Sequence, residues 1–141
     1  MRENKLRYKE LQVQEIPKWG HYLREKWREC FANHLSAEEQ NSIGMDGFLW
    51  HLCSWEKVEC LEKEAAEAAF IKQLKQKCTI FYQFINEAYL LENAKTLTIE
   101  DLPYDQLNMY FGDIYIMDWN GNWTFIMTHE MECGPYFIRK K

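Results

Sequence analysis

The chain has no run approaching eighteen apolar residues, which by length alone excludes a membrane-spanning helix. Its opening stretch, MRENKLRYKE, lacks the apolar segment a secretory signal needs, so a cytoplasmic location is the expectation. Glycine is scarce, at 6 residues in 141. No phosphate-cradling glycine loop, His-Glu-x-x-His pair or nucleophile elbow occurs, so the common nucleotide-binding, metalloprotease and esterase arrangements drop out. Positive charge is also short. With 17 Lys and Arg against 22 Asp and Glu, the net charge of -5 argues against general nucleic-acid binding, which needs surplus cations to neutralise phosphate. There is no internal repeat and no low-complexity linker. The expectation from these absences is no cofactor, no nucleic acid and no membrane partner.

What the chain does have is apolar and aromatic mass. The apolar share is 47% and the aromatic share 16%, so large rings should fill the interior. The length suits one domain over residues 1–141, opened by a mildly basic arm over residues 1–16. Residues 1–28 carry 8 basic and 4 acidic side chains, which leaves a body of net charge -9. An acidic body suits a basic partner, although solubility alone also accounts for it. Five cysteines are an odd number without framework spacing, and reduced thiols fit best.

Local order follows from periodicity. Pro17 sits where a helix can begin, and Trp19, Tyr22, Leu23, Trp27, Cys30, Phe31 and Leu35 follow on one stripe. Arg24 and Arg28 fall off it, as in a helix docked on a sheet or, alternatively, laid on a membrane or a partner. Ser36 with Glu39 has capping-box spacing, and Gly44 reads as a stop. The dense run Phe48 to Trp55 reads as a strand buried on both faces. A helix follows over residues 62–77, with Ala65, Ala66, Ala69, Phe70 and Leu74 on one face. Cys78 to Phe84 reads as a strand with Ile80, Tyr82 and Phe84 facing one way, Asn86 to Ala94 as a short helix, and Thr98 with Asp101 as a capped turn before Pro103. Tyr136 to Ile138 reads as a short last strand.

The strongest local signal is Asn120-Gly121 between two alternating apolar runs, the signature of a two-residue type I′ hairpin. Its register opposes Ile116 to Phe125, Ile114 to Met127 and Asp113 to Thr128. Continued, it sets His129 opposite Gly112 on the face of Trp123, Phe125 and Met127, with Glu130 pointing away. The expected fold class is α+β: an antiparallel sheet of four to five strands with the N-terminal and central helices packed on one side.

Two sets of residues carry candidate chemistry. His51 with Cys53, His129 and Cys133 are four zinc-type ligands in number and kind, without the spacing of a zinc module. Either cysteine beside a histidine is also a conceivable activated nucleophile, the plainer alternative being buried inert thiols and core histidines. Asp113 and Asp118 stand five residues apart on opposite faces of one strand and make a poor carboxylate pair. The second set is a surface. The loop from Tyr104 to Phe111 mixes acid, amide and aromatic side chains, and Tyr104, Asp105, Met109 and Tyr110 are its candidate partner-binding residues.

Trp19-Gly20, Leu49-Trp50-His51 with Ser54, and Trp123-Thr124 leading into Thr128-His129-Glu130 and Gly134-Pro135-Tyr136-Phe137 together resemble a family of small bacterial proteins classed as a domain of unknown function, DUF4275. The resemblance covers nearly the whole chain and implies no activity. The leading expectation is therefore a non-enzymatic cytosolic protein-binding module, immunity-type or regulatory, using acidic and aromatic surface to hold an unidentified protein partner. The alternative is a small hydrolase or metal-dependent enzyme with His51, His129 and Glu130 in its site.

Overall fold

The computed structural model describes residues 12–140. Among the described residues seven strands form one antiparallel sheet: β1 (Gln12–Glu15), β2 (Leu61–Glu62), β3 (Cys78–Tyr82), β4 (Ala88–Glu92), β5 (Ile114–Asp118), β6 (Trp123–Met127) and β7 (Tyr136–Arg139). Their order across the sheet is β1-β4-β3-β5-β6-β7-β2. Four α-helices accompany it among those residues: α1 (Gly20–Phe31), α2 (Ala37–Ser42), α3 (His51–Ser54) and α4 (Lys63–Lys72). The class is mixed α and β with an antiparallel sheet, and the sheet is wider than the four to five strands expected. Among the described residues no helix is long and apolar enough to cross a membrane.

The alternation that defines a strand here buries both sets of side chains. In β5, Ile114 and Ile116 enter one core while Tyr115 and Met117 enter the other. In β6, Trp123 and Phe125 divide from Ile126 in the same way. The first core is closed by Leu23, Trp27 and Phe31 of α1 together with Leu49, Trp50, Leu52 and Cys53. The second is closed by Ala66 and Phe70 of α4 and by Leu97 and Leu102 beyond β4. Helices therefore lie on both sides of the sheet, which corrects the one-sided packing expected.

Several local readings hold. The stripe of α1 is buried at Leu23, Trp27 and Phe31, whereas Trp19 and Tyr22 stay exposed and pack edge to face at 5.4 Å. The indole N–H of Trp27 donates to Thr124 Oγ1 at 3.0 Å, and that hydroxyl donates to the Ile116 carbonyl at 2.8 Å, so the buried threonine is satisfied. Arg24 is turned inward rather than toward a membrane. Its guanidinium donates to the carbonyls of Tyr82 and Ile85 and to Asn86 Oδ1, and burial lowers its pKa. Beside it Gly20 is required, because an added Cβ would lie 2.5 Å from the Asn86 Cα. The Ser36–Glu39 capping box and the Thr98–Asp101 capping box both form, and Gly44 ends α2's turn with a φ of +78°.

The hairpin keeps the expected register, with Ile116 opposite Phe125 and Ile114 opposite Met127. Its turn is not type I′, since Gly121 takes a positive φ and Asn120 does not. It closes through the Gly121 N–H donating to the Asp118 carbonyl at 2.9 Å.

Four readings of local structure are overturned. Phe48 to Trp55 is not a strand. Successive bonds from His51, Leu52 and Cys53 N–H to the carbonyls three residues back coil it into tight turns and α3, because a dense apolar run fits a helical cap over a core as well as a buried strand. Asn86 to Ala94 is not a helix. Its alternation, Ala88 and Leu90 to one core and Tyr89 and Leu91 to the other, is satisfied as β4 against β3 despite good helix formers. Leu74, read on the buried face of α4, is exposed, since the helix ends at Lys72. Phe84 too is half out in solvent, beyond the end of β3. Of the basic arm over residues 1–16, Gln12–Glu15 forms β1 on the edge against β4, and residues 1–11 lie outside the described residues.

Phe70 is fully buried and stacks on Phe125 at 4.3 Å, so the second core rests on this contact between α4 and the hairpin. Phe70→Ala is expected to lower the unfolding free energy by about 3–5 kcal/mol in urea denaturation.

Candidate functional site

One end of the sheet, where β5 begins and β6 ends, gathers most of the candidate residues. The turns over residues 48–50 are pinned there by buried polar groups from the sheet. Gln83 Oε1 accepts the Leu49 N–H at 2.9 Å and the Tyr115 hydroxyl, and the Tyr115 oxygen accepts the Trp50 N–H at 3.3 Å. Burial, then the charge of Asp113, pushes the Tyr115 phenol well above its ordinary range, which keeps it a neutral donor.

Asp113, immediately before β5, is 2% exposed. Its Oδ1 accepts the Trp50 indole N–H at 2.9 Å and the His129 backbone N–H at 3.1 Å. Both carboxylate oxygens lie 3.0 Å from His129 Nδ1. A carboxylate only accepts, so Nδ1 is the donor and the free ring nitrogen, Nε2, is left toward Glu130, whose Oε1 is 3.5 Å away. A buried acid thus fixes the orientation of a ring that is one third exposed.

This geometry corrects two expectations. His129 and Glu130 do not diverge, because the strand ends at Met127 and the backbone turns there. Thr128 Oγ1 fastens that turn by reaching the carbonyl oxygens of Glu130 and Cys133. For the same reason His129 leaves the face of Trp123 and Phe125. Its ring packs at 5.1 Å from Phe48 and 6.2 Å from Trp50, on the α1 side of the sheet. The expected neighbour Gly112 is in place, since a Cβ there would lie 3.1 Å from the His129 Cβ.

The zinc-type set is not assembled. His51 flanks the same two rings, 5.5 Å from Phe48 and 4.8 Å from Trp50, and its Nδ1 is committed to the Ile43 carbonyl at 2.8 Å. Cys53 lies in α3, 2% exposed, rather than on a strand face with His51, and burial raises its thiol pKa well above the ordinary value. Cys133 is partly exposed in the turn after β6, and burial, then the neighbouring Cys133, raises the pKa of the Tyr136 phenol. Among the described residues no group of three or more His, Cys, Asp or Glu is placed to hold a metal ion.

The candidate contact loop lies directly beside His129. Tyr104 is half-buried and donates its hydroxyl to the Thr128 carbonyl at 2.6 Å, and burial raises its pKa to about 12. Asp105 and Asn108 accept the Leu107 and Tyr110 N–H groups, and Asp105 N–H donates to the Phe111 carbonyl, so the loop is tied by its own bonds. Large apolar side chains stand out from it: Leu107 is 96% exposed, Met109 69% and Tyr110 49%. A recess of about 240 Å³ between Tyr104, Gln106, Glu130 and Met131 joins this loop to the turn after β6, where Met131 is exposed.

Sequence reasoning missed Trp50 as a hydrogen-bond donor and Asp113 as the partner of His129. Asp113 had a signal: the hairpin register already sets it opposite Thr128, one residue from the histidine. Trp50 had none, because its placement depends on the coiling of residues 48–55.

Asp113→Asn keeps the shape of the side chain but replaces one acceptor by a donor. It is expected to cost about 1–3 kcal/mol in denaturant unfolding. In nitrogen NMR the neutral His129 ring is expected to switch its proton from Nδ1 to Nε2.

The sequence profile of the domain of unknown function DUF4275 matches residues 2–137, so the chain belongs to that family. Neither the curated proteins nor the solved structures yield a match.

Proposed function

We propose that this protein is a protein-binding module, immunity-type or regulatory, whose recognition surface is the loop of residues 104–111 with the adjoining turn at His129 to Met131. The observation that carries the reading is the exposure of Leu107 and Met109 on a loop held rigid by its own hydrogen bonds. Water-facing apolar side chains concentrated in one place mark contact surfaces, and a loop already ordered loses little further entropy on binding. Asp105, Glu130 and Glu132 are exposed around them. That rim, within a chain of net charge -5, favours a partner with basic side chains about an apolar centre.

Leu107→Asp and Met109→Asp are expected to leave the melting temperature within about 2 °C of the parent, since neither side chain packs in a core. Each is expected to weaken partner binding by a factor of about 30 or more, read by calorimetry with the protein captured from native extract at low salt. Recovery of no stoichiometric partner, or unchanged binding by both variants, counts against the reading.

The Asp113–His129 pair favours a second reading, acid–base catalysis by His129. A buried carboxylate on Nδ1 orients the ring as a general base requires, and Nε2, 3.5 Å from Glu130 Oε1, is the nitrogen that would exchange the proton. His51, grouped with them from sequence, donates its Nδ1–H to the Ile43 carbonyl and is not joined to either by a hydrogen bond. In this reading His129→Ala folds normally and loses the biological effect at least 100-fold. In the binding reading the variant keeps most of the effect, so the one assay separates the two.

A further inference from the structure

At the outer edge of β7 a cleft of about 520 Å³ opens between that strand and the segment leading into β2, floored by the end of α1. It forms because the β2 ladder is two pairs long, Leu61 with Phe137 and Glu62 with Tyr136, and the chain before it splays from β7. The backbone of β7 is therefore left open one step further on. The Lys140 N–H donates to the Asn122 carbonyl on the β6 side at 2.8 Å, so by alternation Arg139 turns its N–H and C=O the other way, into the cleft. No group among the described residues bonds to either. Phe31, Val58 and Ile138 make apolar walls. His34 and Lys140 are exposed at the rim, and among the described residues the Lys140 ammonium has no ion-pair partner. Glu59, the acidic residue of the lining, is already engaged. The Arg139 guanidinium is held by Gln73 at the end of α4.

A strand edge with a donor and an acceptor both open is completed by another extended backbone, which presents the matching pair at the same spacing. We propose that this cleft is a strand-addition site for an extended acidic peptide, which pairs with Arg139 where β2 stops. Running antiparallel, as β2 does, the peptide residue beside Arg139 exchanges both backbone bonds with it. The residue before it falls beside Lys140 and the residue after it beside Ile138, both on the α1 side where Ile138 packs. A carboxylate at the first place meets the ammonium, and an apolar side chain at the second enters the cleft between Phe31 and Val58. Leu61 already holds the place beside Phe137, so the peptide ends or turns off after its apolar residue. The pattern recognised is acidic, any, apolar. A small carboxylate would satisfy Lys140 and leave the Arg139 carbonyl without a donor, and a basic peptide would meet Lys140 with like charge. The site is independent of the recognition surface at residues 104–111.

The test titrates the isotope-labelled full chain with the peptide acetyl-Asp-Glu-Thr-Leu-amide and follows the backbone amides by NMR. The Arg139 amide proton is expected to move downfield to a plateau, and its exchange with solvent to slow several-fold, as it becomes hydrogen-bonded. N-methylation of the peptide's threonine removes the donor to the Arg139 carbonyl and is expected to weaken binding by a factor of about 10 or more. Lysine in place of the peptide's glutamate is expected to weaken it by a factor of about 3 or more, and Lys140→Glu to reverse the preference so that the lysine peptide binds better. No saturable shift at Arg139 with millimolar peptide overturns the proposal, as does equal binding of the N-methylated peptide or a saturable response confined to residues 104–111. An unchanged preference in Lys140→Glu overturns the assignment of acidic ligands to the site.

Discussion

A sheet that is apolar on both faces must be covered twice, and this constraint organises the molecule. Strands β3, β5 and β6 bury nearly every side chain they carry, to one core or the other. Burial of apolar area at roughly 25 cal/mol per Å² makes leaving either face in water untenable. Trp27 in one layer and Phe70 in the other meet this demand, and both are fully buried. Short helical turns, rather than further strands, fill the remaining gap over the first face, because only a coiled backbone delivers Leu49, Trp50, Leu52 and Cys53 to the same side.

The ends of such a sheet are where its order can be interrupted, and the candidate site lies at one of them. Beyond β6 the ladder stops and Thr128 turns the chain, which frees His129 to cross to the α1 side and meet Asp113. A carboxylate as buried as this one is tolerated because three N–H groups converge on it. Beyond the two-pair ladder of β2, the chain splays from β7 and leaves a cleft with a strand edge in its wall. In each case a missing ladder partner, not an added loop, makes the space.

Legibility in the sequence followed the range of the signals. Capping boxes at Ser36 and Thr98, the α1 stripe and the hairpin register all rest on residues a few positions apart, and all are present. The reading of residues 86–94 as a helix failed on a long-range term, the free edge of β3, which Tyr89 and Leu91 satisfy only as a strand. The side reached by His129 failed similarly: alternation holds while a strand lasts, and nothing local marks Met127 as its end. Within the candidate site, His129 and the loop of Tyr104 to Tyr110 were recognisable from residue type. The pairing of His129 with Asp113 was implicit in the register, while the bond from Trp50 to Asp113 was not.

The sequence by itself determined the elements whose hydrogen bonds and apolar periods close within one turn or one hairpin, together with an acidic, aromatic-rich composition suited to a large core. Tertiary structure alone decided the sheet's width, the helices on both of its faces, and which polar groups meet at its ends. The physical reason is that edge pairing, two-sided burial and the convergence of donors on Asp113 depend on chain segments far apart in sequence, whose meeting no local pattern encodes.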